Sequence, residues 1–181
     1  MNPCRPTILA SGLFNATNMV PAAIEAWSDL YVASAGASAA LAGLVFVAIS
    51  INVEAIVKNK GLPDMGLVTI MLLVGVLVVS LFGLIPDQSN QDLGTELLVQ
   101  SIIWTVAIGW FAIRSLPDEN TLERSVSRLG LPALGTLPYV AGAIFLVSGS
   151  DTGMYFIFAG MIGAVLAAVM DAWILLVEIR R

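Results

Sequence analysis

The chain of 181 residues contains no histidine and only one cysteine, Cys4. Histidine is the usual general base near neutral pH and the commonest metal ligand, and a single cysteine can form neither an internal disulfide nor a redox pair. Serine–histidine–aspartate and cysteine–histidine catalysis therefore cannot be built from this chain alone. We expect no metal site, no cofactor and no catalytic residue of a self-sufficient enzyme.

Charge is also scarce: 12% of the residues are charged, and the formal net charge is −5. A typical soluble domain has about 25% charged residues. Because no basic surplus is available to neutralise phosphates, nucleic acid is not an expected partner. Apolar residues make up 58% of the chain, and its mean hydropathy is +0.91. This composition predicts an integral membrane protein whose surroundings are a lipid bilayer.

Five apolar runs are long enough to cross about 30 Å of hydrocarbon as α-helices. The alternation typical of an outer-membrane barrel is absent from the sequence. The predicted fold class is therefore an all-α membrane protein with five transmembrane helices in one domain, residues 30–177. The predicted spans are 30–57, 65–85, 97–113, 131–147 and 154–177. Residues 1–29 are expected to form an external, partly dispensable segment, and 178–181 a cytoplasmic tail.

The segments between the spans carry turn residues, and one of them leaves alternatives open. Asp64 is placed to cap the second helix at its amino end. Residues 117–128 suit either an amphipathic helix lying on the membrane or a solvated connector. In the fourth span, Pro138 removes a backbone donor and should kink the helix. That kink is either a hinge or a simple packing feature.

The distribution of basic residues predicts the orientation. With five crossings, seven of the eight lysines and arginines fall on one side, and only Arg5 lies on the other. The positive-inside rule places the basic side in the cytoplasm, so the amino terminus is expected outside and the carboxyl terminus inside. Trp27, Tyr31 and Tyr155 suit an outer aromatic belt, and Trp110 and Trp173 an inner one.

Two spans carry lines of small residues at helical spacing, which let helix backbones approach closely in lipid. In the first span we call the line of Gly36, Ala40, Gly43 and Ser50 the first seam. In the fifth span we call the line of Gly160, Ala164 and Ala168 the second seam. The two seams are expected to pack against each other or against a second subunit.

Asp171 is the polar residue that stands out, because it lies on the face of the second seam well inside the fifth span. An ionisable group in a membrane helix is expensive and usually faces a cavity or a partner. Asp171 is therefore a candidate ion or proton contact, with a purely structural contact as the alternative. Glu54 is the second candidate. Gln100, Ser101 and Thr105 form a mild polar stripe on the third span, which suits interhelical hydrogen bonds.

The segment from Tyr31 to Asn52, with its alternating alanine, serine and glycine residues, resembles the first helix of small bacterial integral membrane proteins of unassigned function. The resemblance covers one helix of five. It implies a multi-pass protein of the bacterial cytoplasmic (inner) membrane, and it transfers no binding or catalytic residue.

The sequence favours a non-enzymatic membrane module, a small assembly or regulatory subunit that docks through its seams onto copies of itself or onto another membrane protein. The alternative is an oligomeric channel or carrier for protons or small cations that uses Asp171. A membrane enzyme ranks third, since its chemistry would have to come from carboxylates or a bound cofactor.

Overall fold

The computed structural model describes residues 22–58, 61–114 and 122–179, and it describes side chains over 27–58, 61–114 and 129–177. Every regular element in these ranges is an α-helix: α1 (Ala22–Ile51), α2 (Val53–Lys58), α3 (Leu62–Phe82), α4 (Asn90–Arg114), α5 (Leu122–Val147) and α6 (Thr152–Ile179). The sequence predictions for residues 1–21 and for Arg180 and Arg181 lie outside the described residues.

Five of these helices are long and apolar enough to cross a membrane, which confirms the predicted number of spans. Several boundaries differ from the prediction. The first span, predicted as one helix to residue 57, is interrupted at Asn52, and the short α2 follows. The third span, predicted from residue 97, begins at Asn90. The fourth span, Leu129–Val147, agrees with the prediction, but helix α5 itself begins at Leu122, inside the predicted connector 117–128.

Helix α3 lies at the centre of the bundle, and α1, α4 and α6 pack against it. Helix α5 packs between α4 and α6. Helix α1 is the outlying member: 6% of the residues in its most apolar stretch are buried, against 28% to 56% in the other four spans. The protein therefore consists of a four-helix core with α1 attached to one side.

Tyr31 anchors α1 to this core. Its side chain is 2% exposed, and its hydroxyl lies 3.8 Å from the sulfur of Met154 on α6. Its ring fills the space beside Gly83, where a Cβ atom would lie only 2.5 Å from the ring. Tyr31 is thus a core residue, and its assignment to the outer aromatic belt is wrong. Tyr155, Trp110 and Trp173 are each more than 60% exposed on the helix surfaces.

Two of the turns depend on glycines with positive φ angles. Gly61 caps α3 in a left-handed conformation with φ of 87°, so the prediction that Asp64 is the N-cap is wrong; Asp64 lies in the first turn. Gly149, with φ of 82°, follows the end of α5. Helix α4 has a side-chain cap instead: the hydroxyl of Ser89 accepts from the Asp92 backbone N–H at 3.1 Å.

Candidate functional site

Helices α5 and α6 pack closely, and glycines on both helices make this possible. A Cβ atom on Gly153 would lie 2.5 Å from the carbonyl oxygen of Gly142, and one on Gly135 would lie 2.7 Å from the Cα of Ala164. Gly160 lies against the ring of Tyr139, and a Cβ atom built on Gly160 would lie 3.1 Å from that ring. The second seam is therefore already occupied within the chain.

Pro138 lies in the middle of this contact, inside a helix that continues through it to Val147. Because proline has no N–H, the carbonyl of Leu134 loses its usual partner within the helix. That carbonyl lies on the α6 side, where a Cβ atom on Gly163 would approach its oxygen to 2.6 Å. Glycine at 163 therefore leaves room for the backbone carbonyl that proline releases.

Asp171 lies on the same buried face of α6. Its side chain is 3% exposed, and it follows the buried Ala164, Ala167 and Ala168 and precedes the buried Leu175. The face of α6 that carries the second seam is thus the one that meets the bundle. Glu54, in contrast, is exposed on the short α2. The structure therefore places the two candidate ion contacts in different surroundings.

The first seam lies on the outside of the molecule. Among the described residues, no neighbouring atom lies within 4 Å of a Cβ built on Gly36 or on Gly43, and Ala40 is exposed. Ser50 is also exposed, and its hydroxyl donates to the carbonyl of Phe46 at 2.9 Å within its own helix. The residues of α1 that meet α3 (Tyr31, Ser38, Val45 and Ile49) lie on the opposite face at 100° per residue. The two seams therefore do not pack against each other within the chain.

A small cavity lies between the helices of the bundle, and residues of all four core helices line it. Its lining includes Gln100, Ser101 and Thr105, the stripe noted in the sequence, together with Thr136 and Tyr139 of α5. Tyr139 was not anticipated, because an isolated tyrosine in an apolar span gives no sign of the partners it meets. Trp104 closes one side and donates its indole N–H to the Met71 carbonyl at 2.9 Å.

The two ends of the bundle carry different polar contacts. At one end, Asn90 donates to Asp151 at 2.6 Å, which joins the start of α4 to the start of α6. At the other end, Arg114 lies 3.8 Å from Asp64, with the arginine side chain 58% exposed. An exposed ion pair of this length contributes little to stability.

Within the described parts of the chain, no three aspartate, glutamate, histidine or cysteine side chains come together as metal ligands. Comparisons of this chain with protein-family models, curated proteins and solved structures give no match. The class of protein therefore follows from the fold alone. Five long apolar helices define a multi-pass α-helical membrane protein.

Proposed function

We propose that this protein is a non-enzymatic membrane assembly subunit, which associates with a second copy of itself through the exposed face of α1. The observation that carries the proposal is the position of the first seam. Gly36, Ala40 and Gly43 lie on the face of α1 turned away from α3, and the two glycines have open space where a side chain would be.

A helix with such a seam fits a second copy better than it fits lipid. Small residues allow two helix backbones to approach closely, so that van der Waals contacts and Cα–H···O contacts form along the crossing. Larger exposed side chains, including Val32, Leu44 and Phe46, flank the seam and would pack around the crossing point. A face of this kind is self-complementary, which is what a two-fold symmetric dimer requires.

The internal packing of α6 supports the choice of α1. The second seam has the same composition, and it lies against α5. No described residue covers the glycines of the first seam. Because only one face of α1 packs against the core, a partner can cover the other face without disturbing the bundle.

Exchanging Gly43 for leucine tests the proposal. Gly43→Leu is expected to weaken self-association at least tenfold, about 1.4 kcal/mol, because the longer side chain holds the two backbones apart. The fold should be retained, since nothing lies within 4 Å of the new Cβ. The measurement is the dissociation constant of the purified protein in detergent by analytical ultracentrifugation.

Gly109→Leu is the matched control, because Gly109 on α4 is also open and lies on a different helix. Its dissociation constant should equal that of the wild type. A wild-type protein that is monomeric at all concentrations, or an equal loss in both variants, would contradict a dimer built on α1.

A second candidate function is an oligomeric channel or carrier for protons or small cations, and the burial of Asp171 favours it. A carboxyl group turned into the bundle rather than to lipid is the usual arrangement along an ion pathway. On this hypothesis Asp171→Asn abolishes proton or cation flux into liposomes, while Glu54→Gln, at the exposed position, leaves it unchanged. Flux that survives in Asp171→Asn excludes the hypothesis.

We further infer an orientation with the amino terminus outside and the carboxyl terminus inside the bacterial cytoplasmic membrane, from the excess of basic residues on one side. The Asp64–Arg114 end of the bundle then faces the cytoplasm, and the Asn90–Asp151 end faces outward. Reporter fusions at Gln91 measure this orientation directly.

Pro138 is the proposed kink of α5, since the released carbonyl of Leu134 allows the helix to bend there.

A further inference from the structure

The small cavity between the four core helices has the features of a binding site. It lies near the middle of α3 and α4, between Gly75 on one helix and Gln100 and Thr105 on the other, and residues of α5 and α6 complete its lining. The space open to the centre of a water molecule is about 20 Å³. The cavity therefore suits only a very small ligand.

Three residues that line the cavity each carry a buried polar atom with no hydrogen-bond partner among the described residues: Gln100 Oε1, Thr105 Oγ1 and the hydroxyl oxygen of Tyr139. Gln100 and Tyr139 are only 9% and 7% exposed. Buried polar groups in proteins are almost always bonded, and in a membrane an unbonded one costs several kcal/mol because lipid supplies no partner. Three such atoms around one space point to a shared ligand.

The remaining polar groups of the cavity are already satisfied by the protein. Thr136 donates to the Pro132 carbonyl at 3.0 Å, and Ser101 donates to the Leu98 carbonyl at 3.0 Å. The amide nitrogen of Gln100 points to the Gly75 carbonyl at 3.5 Å. Turning the amide over would set oxygen against oxygen there, so the amide oxygen of Gln100 belongs on the cavity side.

The lining defines the chemistry of the ligand. No lining residue is charged, so a charged ligand would have no counterion there. The ligand must donate to the amide oxygen of Gln100, and it must exchange hydrogen bonds with the two hydroxyls. One bound water needs about 10–15 Å³ of such space, so the cavity admits one or two molecules of that size.

We propose that this cavity is a structural water site, in which one or two bound water molecules bridge Gln100 and Thr105 of α4 to Tyr139 of α5. Water is the smallest molecule that satisfies all three groups, and it is by far the most abundant. The bridge links α4 to α5 next to Pro138, in a part of α5 where the backbone has lost one of its own hydrogen bonds.

Removing the hydroxyls of Thr105 and Tyr139 tests the site, because the thermal unfolding midpoint should fall if water fills the cavity and should stay unchanged or rise if the cavity is dry. Thr105→Val and Tyr139→Phe should each lower the thermal unfolding midpoint of the full chain in detergent by about 2–4 °C. Each variant leaves the water with one partner fewer. The double variant should lose less than the sum of the two, because both changes act on the same bridge.

Thr69→Val combined with Tyr139→Phe is the control pair. Thr69 is a buried threonine of α3 whose hydroxyl donates to Met65 at 3.0 Å, and it lies outside this cavity. Its effect should add to that of Tyr139→Phe. Midpoints that stay unchanged or rise in both Thr105→Val and Tyr139→Phe would overturn the proposal, since deleting an unbonded polar group from a dry cavity is neutral or stabilising.

An experimental density map of the full chain provides the direct observation. We expect a peak within about 3.2 Å of both the Tyr139 and the Thr105 hydroxyl oxygens. A map in which other ordered internal waters are visible and this position is featureless would overturn the proposal independently of the variants.

Discussion

Gly163→Val is expected to destabilise the protein by about 3 kcal/mol, the upper end of the range for an overfilled core. A Cβ at this position would lie 2.6 Å from the carbonyl oxygen of Leu134 and 3.2 Å from its carbon. Both atoms belong to the backbone, so no side-chain rotation can relieve the overlap. Helices α5 and α6 must separate, and the neighbouring contacts between Gly135 and Ala164 are lost with them.

The measurement is the free energy of unfolding in mixed micelles, and Gly109→Val is its control. Gly109 lies in α4, and no atom lies within 4 Å of the position that a Cβ would take there. Valine at 109 should therefore be neutral or slightly stabilising, since glycine is a poor helix former. Equal stability of the two variants would show that the α5–α6 contact is looser than described.

Tyr31→Ala is expected to lower stability by about 3–5 kcal/mol, the usual effect of truncating a buried aromatic side chain. The ring is 2% exposed and lies against Gly83, which directly follows α3, and its hydroxyl reaches Met154 of α6. Other residues of α1, among them Leu41 and Val45, also pack against the core but are only partly buried, and Trp27 adds an edge-to-face contact with Tyr155 at 5.5 Å. Loss of Tyr31 should therefore weaken the attachment of α1 to the four-helix core.

Two control variants show whether the loss of stability comes from the Tyr31 ring itself. The free energy of unfolding is measured for all three proteins. Val32→Ala, at a side chain 59% exposed, should change stability by less than about 0.5 kcal/mol. Tyr31→Phe should be mild, because it keeps the ring and removes only a weak bond to sulfur. If Tyr31→Ala were as mild as Val32→Ala, α1 would have to be held by some other contact.

The number of membrane helices follows from the sequence because it depends on summed hydropathy, which needs no knowledge of partners. The start of α5 does not follow from the sequence, because residues 122–128 include Arg124 and Arg128 and charged residues suggest a loop. Helices nevertheless readily extend beyond the hydrocarbon. Tyr31 shows the same limit. A tyrosine near the end of a span suits a membrane interface, and only the gap at Gly83, 52 positions further along the chain, makes it a core residue.

The internal site was predicted only in part, for a similar reason. Gln100, Ser101 and Thr105 are visible as a stripe because they share one helix. Tyr139 joins them only through the packing of α5 on α4, which no local pattern encodes. The role of Gly135 and Gly142 has the same origin: both let α5 approach α6 closely, and this approach depends on how the two helices pack.

The uneven bonding of the two ends has a mechanical consequence. Among the described residues, one end carries the short Asn90–Asp151 and Gln88–Glu96 bonds, both 2.7 Å or less, and the Asp64–Arg114 pair at the other end is stretched to 3.8 Å. A short hydrogen bond holds two helix ends at a fixed distance more firmly than an exposed ion pair of 3.8 Å does. The polar contacts therefore restrain the bundle more strongly around Asp151 than around Arg114.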